Sequence, residues 1–349
     1  MELGNFVTDL NGKKCVKCDK DAKFTGVDPK KAWYCQECFV QMVRNKFRSS
    51  LSKKKIYKDA DARDTLIVFD GTLSGTFLLH QINDALKQIT YKRLMVKPTV
   101  LVLVSLTEDT EIQMVIKRIQ EIKKSVLENV RWVVAHLACS MYDEDFKLKE
   151  NECNGVEKIS DYNQLIASCS VPTYRKELER VLKEKCLQKI ACSMGILKCM
   201  VPDHADDLGR LAIDQLCLGR GGSISTLVTV TDKRPDFMLI RPLCDISKKE
   251  LAVYNYLCDI DKHCIHIAQQ NNQQKSVQTL TDAFICTLEN EKFYSTINTV
   301  LSTAAKIHNT SIGKDDSKCS FCNVEVADSV CSTCSAIREC TGDLLTLLF

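Results

Sequence analysis

Four cysteine pairs carry the most specific chemistry in this chain. Cys15 and Cys18 are two residues apart, as are Cys35 and Cys38, and sixteen residues lie between the pairs. Two such knuckles can bring four thiolates to the corners of a tetrahedron around one zinc ion, and a module this short needs the metal because its own apolar core is too slight to fold it. Cys319 and Cys322 repeat the pattern with Cys331 and Cys334, with eight residues between the pairs. The alternatives, chance spacing or a redox dithiol, lack the thioredoxin-like context that a redox pair requires. Four-sulfur shells leave no open position for water, so both sites read as structural zinc, not hydrolytic zinc. Cys340 lies close enough in sequence to substitute as a ligand.

Two further constellations could do chemistry. In DGTLSG, Asp70, Gly71, Thr72, Ser74 and Gly75 sit where a β-branched run ends and a helical pattern begins. That is the place of an anion-binding loop at a helix N-terminus. It has no Gly-Lys-Ser/Thr ending, and a plain connecting turn explains it at least as well. The segment from Asp203 to Leu216 opens on His204, Asp206 and Asp207. Those carboxylates could hold magnesium, or simply complement a helix dipole, a reading to which His204 adds nothing. The remaining cysteines share no spacing and read as small buried hydrophobes. Cys264, flanked by His263 and His266, is the one with conceivable nucleophilic or metal character.

These residues need elements to position them. TLIVFD, TVLVLVSL and RWVVAHL are continuous apolar strands, and between them apolar residues recur at helical spacing, as at Ile112, Val115, Ile116, Ile119 and Ile122. Strands alternating with helices predict a parallel sheet covered on both faces, with ligands beyond the strands' carboxyl ends, where Asp70 and Asp203 both fall. A long helix is expected from about Tyr174 to Met194, and beyond Leu239 the pattern becomes mostly helical. The division that follows is an N-terminal zinc module over 11–43, a basic linker over 44–62, an α/β domain over 63–245, a helical extension over 246–310 and a C-terminal zinc module over 317–340. In the linker, Arg44, Lys46, Arg48, Lys53, Lys54, Lys55 and Lys58 follow one another without an acid. Such a run is either a solvated connector or a face for a polyanion.

Composition sets the class. The chain has 349 residues, 48 basic and 45 acidic side chains, and a net charge of +3, too balanced to indicate a partner except through local clustering. No signal peptide and no membrane span are visible, so 20 cysteines imply a cytoplasmic, reducing compartment and metal ligation rather than disulfides.

With the parts in order, from zinc module to glycine-containing loop, HADD, LGRGGSI, IRPLCDISKKELAVYNYL and second zinc module, the chain resembles the cytosolic tRNA wobble-uridine 2-thiolation proteins. Within them it is similar to the cytoplasmic tRNA 2-thiolation protein 2 family. The likeness covers nearly the whole chain and is most specific over Leu216–Leu257. It implies a doubly wound PP-loop ATPase-like (HUP-type) domain flanked by zinc modules. Active relatives carry S-G-G-x-D-S, which binds the pyrophosphate of ATP while uridine is adenylated. Here Asp70, Gly71, Thr72, Leu73, Ser74 and Gly75 match it with only the first glycine kept. Aspartate puts negative charge near the phosphates and Thr72 adds bulk where backbone should approach, so ATP turnover is not expected. Active members also use a C-x-x-C pair and a third cysteine for sulfur handling or an iron–sulfur cluster. Cys169 falls out of register with that pair and Cys264 matches the third, so neither sulfur transfer nor a cluster is expected. The tetrad His204–Asp207 stays closer to the active pattern, leaving a vestigial site of His204, Asp206, Asp207, Cys169 and Cys264. The resemblance further implies a heterodimer with a catalytic thiolation subunit, sulfur from a thiocarboxylated ubiquitin-related modifier, and tRNAs for lysine, glutamine and glutamate as substrates. Arg44, Lys46, Arg48 and Lys53–Lys55 are then the candidate tRNA face. Two other readings remain: an active ATP-dependent sulfurtransferase with an unusual loop, and a zinc-module protein scaffold.

Overall fold

The computed structural model describes residues 12–28, 32–53, 56–57, 63–88, 94–142, 147–150, 152–234, 236–267, 274–291, 293, 295–307, 317–326 and 329–342. The first module is a two-stranded antiparallel ribbon, β1 (Phe24–Thr25) and β2 (Trp33–Tyr34), leading into α1 (Gln36–Lys53). Next come β3 (Asp64–Phe69), α2 (Leu73–Lys87), β4 (Lys97–Val104), α3 (Asp109–Val126), β5 (Arg131–His136) and β6 (Cys153–Asn154). The chain continues through α4 (Ile159–Ser168), α5 (Pro172–Ser193), β7 (Lys198–Met200), α6 (Ala205–Cys217), α7 (Ile224–Leu227), β8 (Thr231–Lys233) and β9 (Met238–Ile240). Last are α8 (Lys248–Leu257), α9 (Val277–Asn290), α10 (Thr296–Ala304), the ribbon of β10 (Ser317–Lys318) and β11 (Glu325–Val326), and α11 (Ser332–Thr341).

Seven strands form one sheet in the order β6-β5-β4-β3-β7-β9-β8, parallel except for β8. The apolar runs alternate between its two faces. Ile67 and Phe69 of β3 and Val100, Val102 and Val104 of β4 join a core with α1, α2, α3 and α8, while Leu66, Val68, Leu101 and Leu103 pack against Cys186, Leu187 and Ile190 of α5. Burial on both faces makes strands read as unbroken apolar segments, and each fully buried large side chain contributes about 2 kcal/mol of transfer free energy. Because the chain leaves β3 for β4 on one side and reaches β7 on the other, the crevice between them opens at the ends of β3 and β7.

The expected basic linker differs from what forms. Residues 44–53 continue α1, whose Phe39, Val43, Phe47 and Leu51 are buried in the same core as the sheet. Arg44 donates to Tyr254 Oη at 2.8 Å and pairs with Asp84 at 3.2 Å, and Lys46 pairs with buried Glu250 at 2.7 Å. Apolar residues at helical intervals within the basic run, not the charges, decide its structure. Arg48 is exposed. Lys54 and Lys55 lie outside the described residues, as does the Lys53 side chain. The helical extension expected from 246 likewise begins inside the main unit: Tyr254 of α8 packs edge-on to Phe77 of α2 at 4.7 Å and accepts from Gln81 at 2.9 Å. No helix among the described residues is long and apolar enough to cross a membrane.

Candidate functional site: a charged cavity between two cysteine centres

The glycine-containing loop is shaped by its own side chains. Gly71 has φ +74°, and a Cβ there would lie 2.2 Å from the carbonyl oxygen of Ile265, whose N–H donates back to Gly71 O at 3.0 Å. Only glycine fits both demands. Thr72 is the N-cap of α2, its Oγ1 accepting from Gly75 N at 3.1 Å. The same hydroxyl donates to Asp70 Oδ1 at 2.6 Å, Thr72 N donates to that oxygen at 3.2 Å, and Ser74 Oγ lies 2.8 Å from Thr72 Oγ1. Two donors of the loop, Thr72 N and Thr72 Oγ1, are thus turned onto an internal carboxylate at the start of α2.

Beyond β7, His204 is the N-cap of α6 in a reciprocal capping box. His204 Nδ1 accepts from Asp207 N at 3.4 Å, and Asp207 Oδ2 accepts from His204 N at 3.3 Å. His204 therefore has a helix-starting role that the sequence reading did not give it. Asp206 Oδ2 accepts from Lys248 N at 2.6 Å, tying α6 to the first turn of α8. Asp207 also pairs with Arg210, which reaches Asp282 of α9 at 2.5 Å.

These two segments face each other across a cavity of about 760 Å³ lined by Asp70, Thr72, Ser74, His204, Asp206 and Asp207, among others. Asp203 and Asp214 of the same acidic segment line it too, together with residues that carried no site signal: Arg180, Lys183 and Glu184 on α5, and Arg241 after β9. On a charged helix such as α5 these side chains read as a solvated face, and only the fold shows that they turn inward. Arg241 is 2% exposed, touches Asp203 at 3.5 Å and Asp232 at 3.4 Å, and its Nη1 has no hydrogen-bond partner. Burial opposes the charge on Lys183, but Asp203, Asp70 and Asp207 together raise its pKa. Burial also lifts Asp207, against His204 and Arg210, and pushes Asp214 up to about 6.

The two central thiols lie apart from this cavity wall. Cys264 sits beside α2 with its Sγ 3.4 Å from Thr76 Oγ1, and burial raises its pKa. Its neighbour His263 is engaged with His80, Nδ1 to Nε2 at 2.9 Å, so it is not placed as a base for Cys264. Cys169 is fully buried between α4 and α5 in a cluster with Leu178 and Ile337, its pKa pushed up to about 11 by that burial. Neither thiol is activated.

At the chain's two ends the cysteines do converge. The ligand atoms of Cys15, Cys18, Cys35 and Cys38 lie within 4.8 Å of one another, as do those of Cys319, Cys322, Cys331 and Cys334. Cys18 Sγ is 3.6 Å from Cys35 Sγ and 3.7 Å from Cys38 Sγ, and Cys322 Sγ is 3.7 Å from Cys331 Sγ. A tetrahedron with metal–sulfur bonds of about 2.3 Å has edges of roughly 3.8 Å, so either set fits one four-coordinate ion and is too tight for a multinuclear cluster.

Comparison with known proteins agrees with this arrangement. Residues 276–342 match the family described as cytoplasmic tRNA 2-thiolation protein 2. A protein of that name from Caenorhabditis briggsae is 72% identical over 349 residues, spanning 100% of both chains. One from Drosophila ananassae is 28% identical over 340 residues, covering 92% of this chain and 80% of that protein. Among solved structures, the U34-tRNA thiolase NcsA from Methanococcus maripaludis with its [4Fe-4S] cluster matches with a TM-score of 0.60 at 14% identity, over 93% of this chain and 95% of that one. The likeness establishes a thiolase-type fold, while among the described residues the groups able to hold a metal through three or more ligands are the two terminal sets. Whole-length identity, the parallel sheet and the paired cysteine modules together place this chain in the cytoplasmic tRNA 2-thiolation protein 2 family.

Proposed function

We propose that this protein is the non-catalytic subunit of a cytoplasmic complex that 2-thiolates the wobble uridine of tRNAs for lysine, glutamine and glutamate. It pairs with a catalytic subunit that binds ATP and receives sulfur from a thiocarboxylated ubiquitin-related modifier. The observation that carries this reading is the loop: Asp70 accepts from Thr72 N and Oγ1, so the chain's own carboxylate engages two of the loop's donors and puts a negative charge where a phosphate would sit. The unactivated, separated thiols of Cys169 and Cys264 support it from the side of sulfur chemistry. Each terminal cysteine set holds one zinc ion, which supplies folding free energy to its module and takes no part in the reaction.

The tRNA face is narrower than the basic run. Arg44 and Lys46 fasten α1 to α2 and α8, which leaves exposed Arg48, with Lys53, Lys54 and Lys55 following it in sequence, for phosphate contact. Leu280 and Phe284, one turn apart on α9 and 67% and 51% exposed, offer an apolar strip for the catalytic subunit.

The test is reconstitution. With the catalytic subunit, ATP, a sulfur donor and tRNA, mass analysis of anticodon nucleosides should show 2-thiouridine only when both chains are present. Thiolation by this chain alone would favour the sulfurtransferase reading. Full thiolation without it would favour the scaffold reading.

A further inference from the structure

The turn LGRGGS (residues 218–223) does more than close α6. It is the socket for the C-terminal cysteine module. Thr333 Oγ1 donates to Leu218 O at 2.7 Å, Glu325 N donates to Ser223 Oγ at 3.1 Å, and Arg220 enters the cysteine set itself. Arg220 is 3% exposed, and its Nε and Nη2 point at Cys331 Sγ and Cys334 Sγ at 3.4 and 3.2 Å. Four thiolates around a divalent ion leave a net charge of about two negative units. All four sulfurs here belong to residues at most 6% exposed, so a buried guanidinium is what makes that charge tolerable. In the N-terminal set, by contrast, Cys18 and Cys38 are only partly buried.

The other edge of the same guanidinium meets α5 and α6. Its Nη1 donates to Glu177 and, at 2.9 Å, to Gln215 Oε1, while Gln215 Nε2 donates to Glu177 at 3.1 Å. Glu177 pairs with Arg180 at 2.6 Å, Arg180 with Glu184 at 2.7 Å, and Glu184 with Arg234 at 2.8 Å. Arg180 and Glu184 line the cavity. An unbroken run of charge-assisted hydrogen bonds therefore joins the metal thiolates to the cavity wall.

We infer that Arg220 is a positioning residue that couples metal occupancy of the C-terminal four-cysteine centre to the geometry of α5 along the cavity. The inference rests on the reading of that centre as a metal site. With the ion bound, four deprotonated sulfurs hold the guanidinium between Cys331, Cys334 and Glu177. Without it nothing holds the four sulfurs together, Arg220 loses its fixed contacts to Cys331 and Cys334, and Glu177 on α5 loses its tie to the cysteine module.

The test uses the full chain loaded with cobalt(II) in both centres, as wild type, R220M and R220K. N–H···S bonds lower the energy of thiolate electrons, so R220M should shift the sulfur-to-cobalt charge-transfer bands to longer wavelength and release cobalt to a chelator about tenfold faster, with R220K lying between. Hydrogen exchange of Pro172–Ser193 supplies the coupling readout. Stripping the metal should accelerate it at least tenfold in wild type and add little in R220M, where the link is already cut. Unchanged bands in a loaded R220M, or equal acceleration on stripping in R220M and wild type, would overturn the coupling. Failure of wild type to take up a second cobalt would overturn the metal centre and the coupling with it.

Discussion

At the scale of single residues, the loop after β3 shows what requires a glycine at position 71. Gly71 is fixed by a positive φ and by the backbone of Ile265, neither of which depends on a bound nucleotide. Its role is architectural, and Gly71→Ala should lower the unfolding free energy by about 2 kcal/mol or more, read from denaturant midpoints, because the added methyl meets backbone and not a yielding side chain. Asp70→Ser should leave 2-thiouridine formation in the reconstituted complex close to the wild-type level, as measured by nucleoside mass analysis. A collapse of activity would show that the carboxylate takes part in the reaction.

At the scale of elements, charge patterns misled where apolar periodicity informed. The strands and α5 were legible because burial on both faces of a parallel sheet leaves unbroken apolar runs, and because a 22-residue helix repeats its period many times. The run from Arg44 suggested a linker because its cations are conspicuous, yet Phe47 and Leu51 carry the helix through it into the core. The cavity's α5 wall was illegible for the converse reason: Lys183 and Glu184 look like surface until the fold turns them inward. The α1–α8 contact makes the point testable. Glu250 caps α8 through Ser247, accepts Lys46, and is 1% exposed. Glu250→Ala should therefore cost about 3 kcal/mol, partly by stranding the Lys46 ammonium, whereas a solvated linker charge would cost almost nothing. Calorimetric unfolding of the two single variants and the Glu250→Ala/Lys46→Met double variant would separate the pair from the cap.

At the scale of the whole molecule, titration and charge report how the parts hold together. Burial holds His80, with help from His263, and His136 at about 4, below the ordinary histidine value of 6.5. Their folded pKa values are depressed, so between pH 6.5 and 4 the unfolded chain binds more protons, and stability falls as pH drops through that window. The loss is up to about 3 kcal/mol per histidine, and His136→Asn, which keeps a cap acceptor for Ala138 N, should flatten the slope of unfolding free energy against pH. The proposed tRNA face is tested by Arg48→Glu, for which filter binding should show weaker tRNA affinity at every sequence and a salt slope reduced by about one.

The non-catalytic reading rests on the loop's donors being engaged by its own carboxylate. The direct measurement is equilibrium binding of ATP to the isolated, metal-loaded chain, with release of pyrophosphate followed in the presence of tRNA. The account predicts no saturable binding at millimolar nucleotide and no pyrophosphate. Stoichiometric binding with tRNA-dependent pyrophosphate release would contradict it.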